Sequence, residues 1–431
     1  MRCPILTNLL PSCRRWDFQG FKLSSRTHAA PPAGPSTETI VAPQQVGSEP
    51  ERSILVPVLR PKLPSASQLA PYLQSIDERR LYSNGGPLSL RLQAELSRHI
   101  GCPEGTILTA ASATAGITAA LLALDLPENS VCLMPSWTFA ATPHAALAAG
   151  VKPHFLDVDR RTWALDPAAV KRALAQASVA ARAVIVVSPF GAPLDITAWE
   201  RFQTETGIAV IADCAAGFDT VRFSSAVSVV SLHATKLFAA GEGGFIVAPT
   251  VEMRTRLQAC SNFGFDGNRI AKWRAINSKL SEYHASVALA NFEGWPAARL
   301  RHLQIAAWYR QALKGMPGVT LQPSYGDGWA CGVTNILLES DSAESIARFL
   351  LREGIETRMW WGAGCHFQPA FASCPREPLP TTEYLGARVL GLPHFVDMQK
   401  SDVLLVADAV SKALKSRALG RRKPSGTGAL S

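Results

Sequence analysis

The chain has 431 residues, of which 47% are hydrophobic and 18% are charged, and this composition is typical of a globular protein with a sizeable core. Lysine and arginine outnumber aspartate and glutamate by 43 to 34, but many of the basic residues lie near the two ends of the chain. Between the ends there is no basic stripe interleaved with aromatic residues, which disfavours nucleic-acid binding. The nine cysteines are widely spaced without a CxxC pair, so we expect no disulfide framework, no metal site and a cytoplasmic location.

The N-terminal segment and two uncharged stretches need separate interpretation. Residues 1–52 are rich in proline, serine and arginine without helical or strand periodicity, and we interpret them as a disordered or non-native extension. An organellar transit peptide is the alternative. The uncharged stretches 105–124 and 130–151 are dominated by small residues or interrupted by prolines, so they predict buried α/β core and no membrane association.

From residue 53 onward, short apolar runs alternate with helical segments, which predicts an α/β fold with a mostly parallel sheet flanked by helices. The clearest predicted strands are 131–135, 184–187, 208–212, 227–232 and 245–248, and the clearest predicted helices are 88–99, 114–123, 167–174 and 196–205. A long helical region follows over 281–316, with a break predicted at Trp295-Pro296. We therefore predict a large domain over 53–300, a smaller C-terminal α/β domain over 301–415 and a flexible tail over 416–431.

Polar side chains follow several of these strands, at the edge where open parallel sheets bind ligands. Ala113 and Thr114 begin a predicted helix, Asp213 follows a strand, and Ser231 ends a strand that leads to Lys236. A glycine-containing turn at 241–244 comes next. Taken singly, these are a helix start, a loop anchor and a surface charge. Taken together in this order, they match what pyridoxal phosphate (PLP) requires of a protein.

PLP needs a lysine amine for its Schiff base, a carboxylate that keeps the pyridine nitrogen protonated, and hydrogen-bond donors around its phosphate. Lys236 is a candidate for the first role, because a glycine-rich turn beside a buried strand supplies a confined and partly desolvated place. Helix-start amides at Thr114 would add partial positive charge at the phosphate.

A series of sequence blocks makes the comparison specific. The chain resembles the DegT/DnrJ/EryC1/StrS family of sugar aminotransferases of fold type I from about residue 55 to 414. The blocks that carry this resemblance occur in family order at 84–87, 92–96, 113–115, 135–142, 150–159, 211–216, 231–236, 241–244 and 277–282.

The resemblance implies roles for the residues at the centre of these blocks. It identifies Lys236 as the Schiff-base lysine and Asp213 as the partner of the pyridine nitrogen. It also implies that Ala113, Thr114 and Ser231 hold the cofactor phosphate.

Two further roles follow from the same resemblance. Asn277 would reach the phosphate of the other subunit, which implies a homodimer with shared active sites; the alternative from the residues alone is that Asn277 caps the helix beginning near Ser281. Trp137 would stack on the cofactor ring, with Phe139 as the alternative.

The implied reaction is transfer of an amino group, from glutamate, to a keto group on a nucleotide-linked sugar or similar acceptor. One alternative is a PLP-dependent sugar dehydratase on the same fold, although such dehydratases carry histidine where Lys236 stands. The other is a non-catalytic sensor or regulatory relative, which would be expected to have lost Asp213 or Lys236. The chain departs from the family at Ala216, where relatives often have glutamine or histidine. His366 is a further candidate, because its loop resembles one that borders the active site in relatives.

Overall fold

The computed structural model describes residues 54–176, 181–340 and 342–421. The interpretation of residues 1–52 therefore lies outside the described residues. The helices are α1 Ala66–Arg79, α2 Pro87–Ile100, α3 Ala113–Ala123, α4 Ala141–Ala148, α5 Pro167–Gln176, α6 Ile196–Thr206, α7 Val251–Cys260, α8 Glu282–Ala312, α9 Ala343–Arg352, α10 Pro380–Arg388 and α11 Lys400–Arg421. The strands are β1 Ile107–Ala110, β2 Val131–Pro135, β3 Lys152–Leu156, β4 Ala181–Val187, β5 Ala209–Asp213, β6 Val227–Ser231, β7 Gly244–Val247, β8 Val319–Leu321, β9 Thr334–Leu338 and β10 Val389–Leu392.

The main sheet has seven strands in the order β1-β7-β6-β5-β4-β2-β3. Strands β2, β3, β4, β5 and β6 are all parallel to one another. Strand β7 is antiparallel to both of its neighbours, β1 and β6. The mostly parallel sheet predicted from the sequence is therefore confirmed. This topology brings the carboxyl ends of β5 and β6 to the same edge, next to the beginning of β7.

Both faces of the sheet are buried, as the apolar strand sequences require. Alternate residues of β4 face opposite ways: Val184 and Val186 lie in one apolar cluster, whereas Ala183, Ile185 and Val187 lie in another. The first cluster includes residues of α2, α6 and α8, and the second includes residues of α3, α4 and α7. The sheet is thus held between two helical layers, and its carboxyl edge remains available for a site.

A smaller antiparallel sheet, ordered β10-β9-β8, packs with the end of α8, α9 and α11 around a third apolar core. The predicted division at 300/301 falls inside α8, and α8 runs without interruption from one core to the other. The predicted domain boundary therefore stays a prediction. Helix α11 continues to Arg421, beyond the predicted start of the tail at 416, and residues 422–431 lie outside the described part.

The break predicted at Trp295-Pro296 is wrong, because Pro296 lies inside α8. Trp295 is 4% exposed and its ring packs against Phe218 and Phe238, at centroid distances of 4.9 and 6.0 Å. This buried aromatic contact holds the helix together where proline removes one backbone hydrogen bond.

The two uncharged stretches form β1 with α3 and β2 with α4, all largely buried, as predicted. Within the described residues, none of the helices combines the length and the apolar character that a membrane span requires.

Candidate active site

Asp213 is the last residue of β5, and its side chain is buried at the carboxyl edge of the sheet. Thr142 Oγ1 donates a hydrogen bond of 2.7 Å to Asp213 Oδ2, and the Ala215 amide donates one of 3.1 Å to Oδ1. Burial raises the pKa of the Asp213 carboxyl, whereas these two hydrogen bonds and the charge of Lys236 lower it. The carboxylate is therefore oriented by two donors in a place shielded from water.

Lys236 lies in the loop between β6 and β7 and is half-buried. The Lys236 amide donates to the carbonyl of His233 at 2.9 Å, and the Ala234 amide donates to the carbonyl of Gly241 at 2.8 Å. Gly241 has φ +84°, a left-handed conformation that favours glycine and closes the loop. Burial lowers the pKa of the Lys236 amine, although the Asp213 carboxylate opposes this shift. Lys236, in the loop that follows β6, is thus an electrostatic neighbour of Asp213, at the end of β5.

The start of α3 packs directly on the start of β7. Ser231 and Gly244 are register partners across β6 and β7, and a Cβ atom on Gly244 would lie 2.7 Å from the Ala113 amide nitrogen. Only glycine leaves room for this approach, which places the start of α3, at Ala113, against the register partner of Ser231. The first amides of a helix have no intrahelical acceptor and favour anions. The role of Ala113, Thr114 and Ser231 in binding the cofactor phosphate stays a prediction.

Replacement of Gly244 by alanine is expected to weaken cofactor binding about tenfold or more, because overpacking of about 1–3 kcal/mol displaces the start of α3. The atoms that the new methyl group meets are backbone atoms of Ser112, Ala113 and Val230, which cannot rotate away. Cofactor dissociation followed by absorbance measures the effect. Gly294→Ala is the matched control, because a Cβ atom there meets nothing within 4 Å. Equal cofactor affinity in the two variants would contradict the packing argument.

The two aromatic candidates differ in their surroundings. Trp137 is 2% exposed and packs against Trp163, Phe190 and Trp361, with ring centroids 4.9 to 5.6 Å apart. Phe139 is 62% exposed, and its carbonyl accepts a hydrogen bond from the Thr142 amide at 3.1 Å. The stacking role of Trp137 stays a prediction, and its enclosure by other rings favours the alternative, Phe139.

Asn277 is exposed, and its Oδ1 accepts a hydrogen bond from Lys279 Nζ at 2.6 Å. The capping alternative is wrong: Ser281 is the N-cap of α8, and its hydroxyl accepts from the His284 amide at 3.2 Å. Asn277 thus has no capping role that would explain it, and its side chain is available at the surface of a single chain.

The remaining candidates have structural partners. His366 is buried with Nδ1 2.7 Å from Ser136 Oγ, and burial lowers its pKa. This contact anchors the 364–368 loop to the residue that follows β2. Ala216 is half-buried, and its carbonyl oxygen would lie 2.5 Å from a Cβ atom on Gly191, so its backbone is tightly packed although its side chain is small.

Thr142 is a site residue that reasoning from the sequence missed. It is fully buried, it orients Asp213, and its own Oγ1 lies 2.9 Å from Thr138 Oγ1. Thr142 is the last residue of the block 135–142, which follows the buried strand β2 and contributed to the family resemblance. Its place in that block could have indicated a role in the site.

These residues fit PLP on structural grounds alone. A desolvated lysine amine, a buried carboxylate held by two donors and a helix start packed on glycine meet at one edge of the sheet.

Comparisons with known proteins identify the family of the chain. A model of the DegT/DnrJ/EryC1/StrS aminotransferase family matches residues 65–411. The chain belongs to this family. Its members share the fold, and the resemblance inferred from the sequence blocks is confirmed.

Individual relatives of the family are distant but cover most of the chain. A UDP-N-acetyl-3-dehydro-alpha-D-glucosamine 3-aminotransferase of Acidithiobacillus ferrooxidans is 28% identical, over 75% of this chain and 88% of that protein. The solved structure of DesI, in the presence of its TDP-sugar product, is 29% identical with a TM-score of 0.76, over 85% of this chain and 95% of that one. A Bacillus cereus protein described as a PLP-dependent aminotransferase is 28% identical with a TM-score of 0.77, over 82% and 99%. This DegT/DnrJ/EryC1/StrS family chain is accordingly a PLP-dependent aminotransferase.

Proposed function

We propose that this aminotransferase moves an amino group from glutamate to the keto group of a nucleotide-linked sugar, with Lys236 and Asp213 as the catalytic residues. The observation that carries the proposal is the electrostatic pairing of a desolvated lysine, in the loop after β6, with a buried, doubly hydrogen-bonded carboxylate at the end of the neighbouring strand β5. The sugar acceptor is supported by the relatives named for a dehydro-glucosamine substrate and for a TDP-sugar product.

PLP, when bound, supplies the electron sink that stabilises negative charge at the donor's α-carbon. As a neutral amine, Lys236 would take the proton from that α-carbon and deliver it to C4′ of the cofactor. Burial lowers the pKa of Lys236 and so increases the neutral fraction at physiological pH. Because burial disfavours the protonated form of Lys236, more of the amine is free to accept a proton.

Asp213 would hold a proton on the pyridine nitrogen, and for this it must remain ionised. The hydrogen bonds from Thr142 and Ala215 favour the ionised form against the effect of burial. The phosphate would be bound by Ser231 and by the first amides of α3, at Ala113 and Thr114. We assign the stacking contact with the cofactor ring to Phe139. Its side chain is exposed, and its backbone is hydrogen-bonded to Thr142, which orients Asp213.

The proposed enzyme is a cytoplasmic homodimer in which Asn277 completes the phosphate site of the partner subunit. Asn277 is exposed on the single chain, and Lys279 donates a hydrogen bond to it. A side chain that binds a ligand in another subunit has to be accessible and oriented in this way. Most soluble oligomers of one chain are symmetric dimers, so each subunit would give and receive the same residue.

Mixing Lys236→Ala and Asn277→Ala subunits tests this sharing. Neither parent is expected to be active, whereas each heterodimer regains one intact site, so statistical exchange restores about a quarter of the wild-type specific activity. Activity per subunit is measured after exchange has been verified by mass spectrometry of differently tagged chains.

The control combines both changes in one chain and mixes that chain with wild type. If sites are shared, each site of such a heterodimer lacks either Lys236 or the partner's Asn277. Activity therefore falls when subunits exchange. If verified heterodimers of the single variants stay inactive while both parents are folded, each chain builds its own site and the shared-site proposal fails.

A further inference from the structure

Two buried histidines, His302 and His394, stack on each other where α8 meets the small sheet. Their ring planes differ by 8°, their centroids are 5.2 Å apart, and Nδ1 of His302 lies 3.0 Å from Nε2 of His394. His302 is 7% exposed and His394 is 1% exposed. The contact joins α8 to the segment that follows β10, in a place that water barely reaches.

The two rings continue into a chain of hydroxyl groups. Nδ1 of His394 lies 2.8 Å from Thr334 Oγ1, and the Tyr325 hydroxyl lies 2.5 Å from the same oxygen. A neutral imidazole has one donor and one acceptor nitrogen. If His394 donates from Nε2 to His302, its Nδ1 accepts from Thr334, and Thr334 accepts from Tyr325. The backbone of Cys331 accepts the remaining N–H of His302, so in this direction each hydrogen of the chain has an acceptor.

An added proton reverses this chain, whichever ring receives it. Nδ1 of His394 then carries a hydrogen and donates to Thr334, which can no longer donate to it. Among the described residues, the acceptors that the Thr334 and Tyr325 hydroxyls reach are each other's oxygen and that same ring nitrogen. One hydroxyl hydrogen is therefore left buried without an acceptor, which destabilises the closed arrangement. A second proton would place two N–H groups opposite each other at 3.0 Å.

The charged groups around the pair do not compensate for an added proton. The Arg301 guanidinium opposes it, and the Asp219 carboxylate, which favours it, is already paired with Arg299 at 2.6 Å. Burial has the largest effect, and it lowers the pKa of His302 to about 4 and that of His394 well below its ordinary range. Burial also raises the pKa of the titratable neighbours on α8 and before β9, which are Tyr309, Tyr325 and Cys331. The cavity that both rings line contains the charged side chains of Arg60, Lys62, Lys236, Arg301 and Asp397, of which Lys62 and Asp397 form an ion pair at 3.0 Å.

The pair lies at a junction of three parts of the chain. The His394 amide donates to the Val58 carbonyl at 3.1 Å, and the Tyr309 hydroxyl of α8 donates to the Pro393 carbonyl at 2.8 Å. The chain on each side of this junction, at 59–64 and 394–397, lines the cavity of about 680 Å³ that borders Lys236. The histidine pair therefore holds part of the wall of that cavity in place.

We propose that the His302–His394 pair is an acid-sensitive latch, closed while both rings are neutral, whose opening releases the cavity wall formed by 59–64 and 394–397. The neutral pair stabilises the closed wall fully above pH 6.5, the ordinary pKa of histidine. Because the pKa of each ring is lowered in the closed state, this stability is lost as the pH falls from 6.5 towards about 4. The inference does not depend on the acceptor of the amino transfer or on the role of any residue in the chemistry.

Hydrogen–deuterium exchange of the cofactor-saturated protein, followed by peptide mass spectrometry across this pH range, tests the latch. After correction for the intrinsic pH dependence of exchange, the opening constant of 59–64 and 394–397 should rise about a hundredfold per pH unit below about pH 5.5, because opening takes up two protons. His302→Asn retains an acceptor near the position of Nδ1 and leaves one ring to titrate, so the rise should be about tenfold per unit. The double variant His302→Asn with His394→Gln should show no such rise.

His154→Asn is the matched control. His154 is 5% exposed on β3 of the main sheet and lies 3.5 Å from Glu377, so its replacement should leave the wild-type slope unchanged. The proposal is overturned if opening at 59–64 and 394–397 is independent of pH in the wild type, or if folded His302→Asn and His394→Gln single variants both keep the wild-type slope. It is also overturned if β4 and β5 open with the same slope, because the whole chain rather than the junction would then be unfolding. The single variants decide the matter even where the double variant does not fold.

Discussion

Borohydride reduction of the purified protein is expected to fix the cofactor on Lys236. The physical reason is that Lys236 combines a desolvated amine with a neighbouring buried carboxylate, and a lysine needs its neutral form to react with an aldehyde. Peptide mass spectrometry after reduction locates the added mass, and the visible absorbance of the protein is lost at the same time. Lys236→Ala should then lower transamination by about 10³-fold or more, since it removes both the attachment point and the proton carrier.

Lys412→Ala is a suitable control for the lysine variant. Lys412 is exposed on α11, with Asp408 at 2.7 Å as its ionic partner, so its loss should change neither labelling nor rate. Circular dichroism should show the same fold for both variants. The assignment is wrong if the added mass is found on a different lysine, or if Lys236→Ala transaminates at the wild-type rate.

The main features of the sheet could be predicted from the sequence because its strands are short, apolar and buried on both faces. The strand predicted at 131–135 coincides with β2, and the helix predicted at 114–123 differs from α3 by one residue at its start. The polarity of Asp213 suggested that the strand before it ends at 212. Parallel pairing with Val187 of β4 and Val229 of β6 instead includes Asp213 in β5, so the hydrogen-bonded ladder extends into the site.

The contacts that shape the site could not be predicted in the same way, because they join residues distant in sequence. The hydrogen bond between Thr142 and Asp213 spans 71 positions, and it depends on α4 starting beside the end of β5. The close approach of Ala113 to Gly244 depends on the packing of α3 on β7. Chain order and residue type indicated which groups take part in the chemistry, and tertiary packing determines how each is held.

The continuity of α8 is a further instance in which packing decides. Proline has a strong local preference against the helix interior, and this preference predicted a break at Pro296. Burial of Trp295 among Phe218 and Phe238 depends on residues almost 80 and 60 positions earlier, which local reasoning does not include.

Asp213→Asn is expected to reduce transamination by about a hundredfold or more while the fold is retained. The replacement has the same shape but no charge, so it no longer favours a protonated ring nitrogen. A hydrogen bond to a charged group contributes about 1.5–3 kcal/mol to stability, and it contributes more where it stabilises the transition state. Asparagine also offers one acceptor oxygen where the carboxylate offers two, so either the Thr142 hydroxyl or the Ala215 amide loses its acceptor.

Thr142→Val separates these two effects. It removes one donor to Asp213 but leaves the charge, so we expect a smaller loss of rate, about tenfold, as for a single hydrogen bond to a charged group. Without that donor the pKa of Asp213 should rise further, because the bond from Thr142 opposes the effect of burial. The acid limb of the rate profile should therefore move to higher pH in Thr142→Val, whereas in Asp213→Asn this limb should disappear. If Asp213→Asn kept both the wild-type rate and the acid limb, the ring nitrogen would have to be held by another group, and the role given to Asp213 would be wrong.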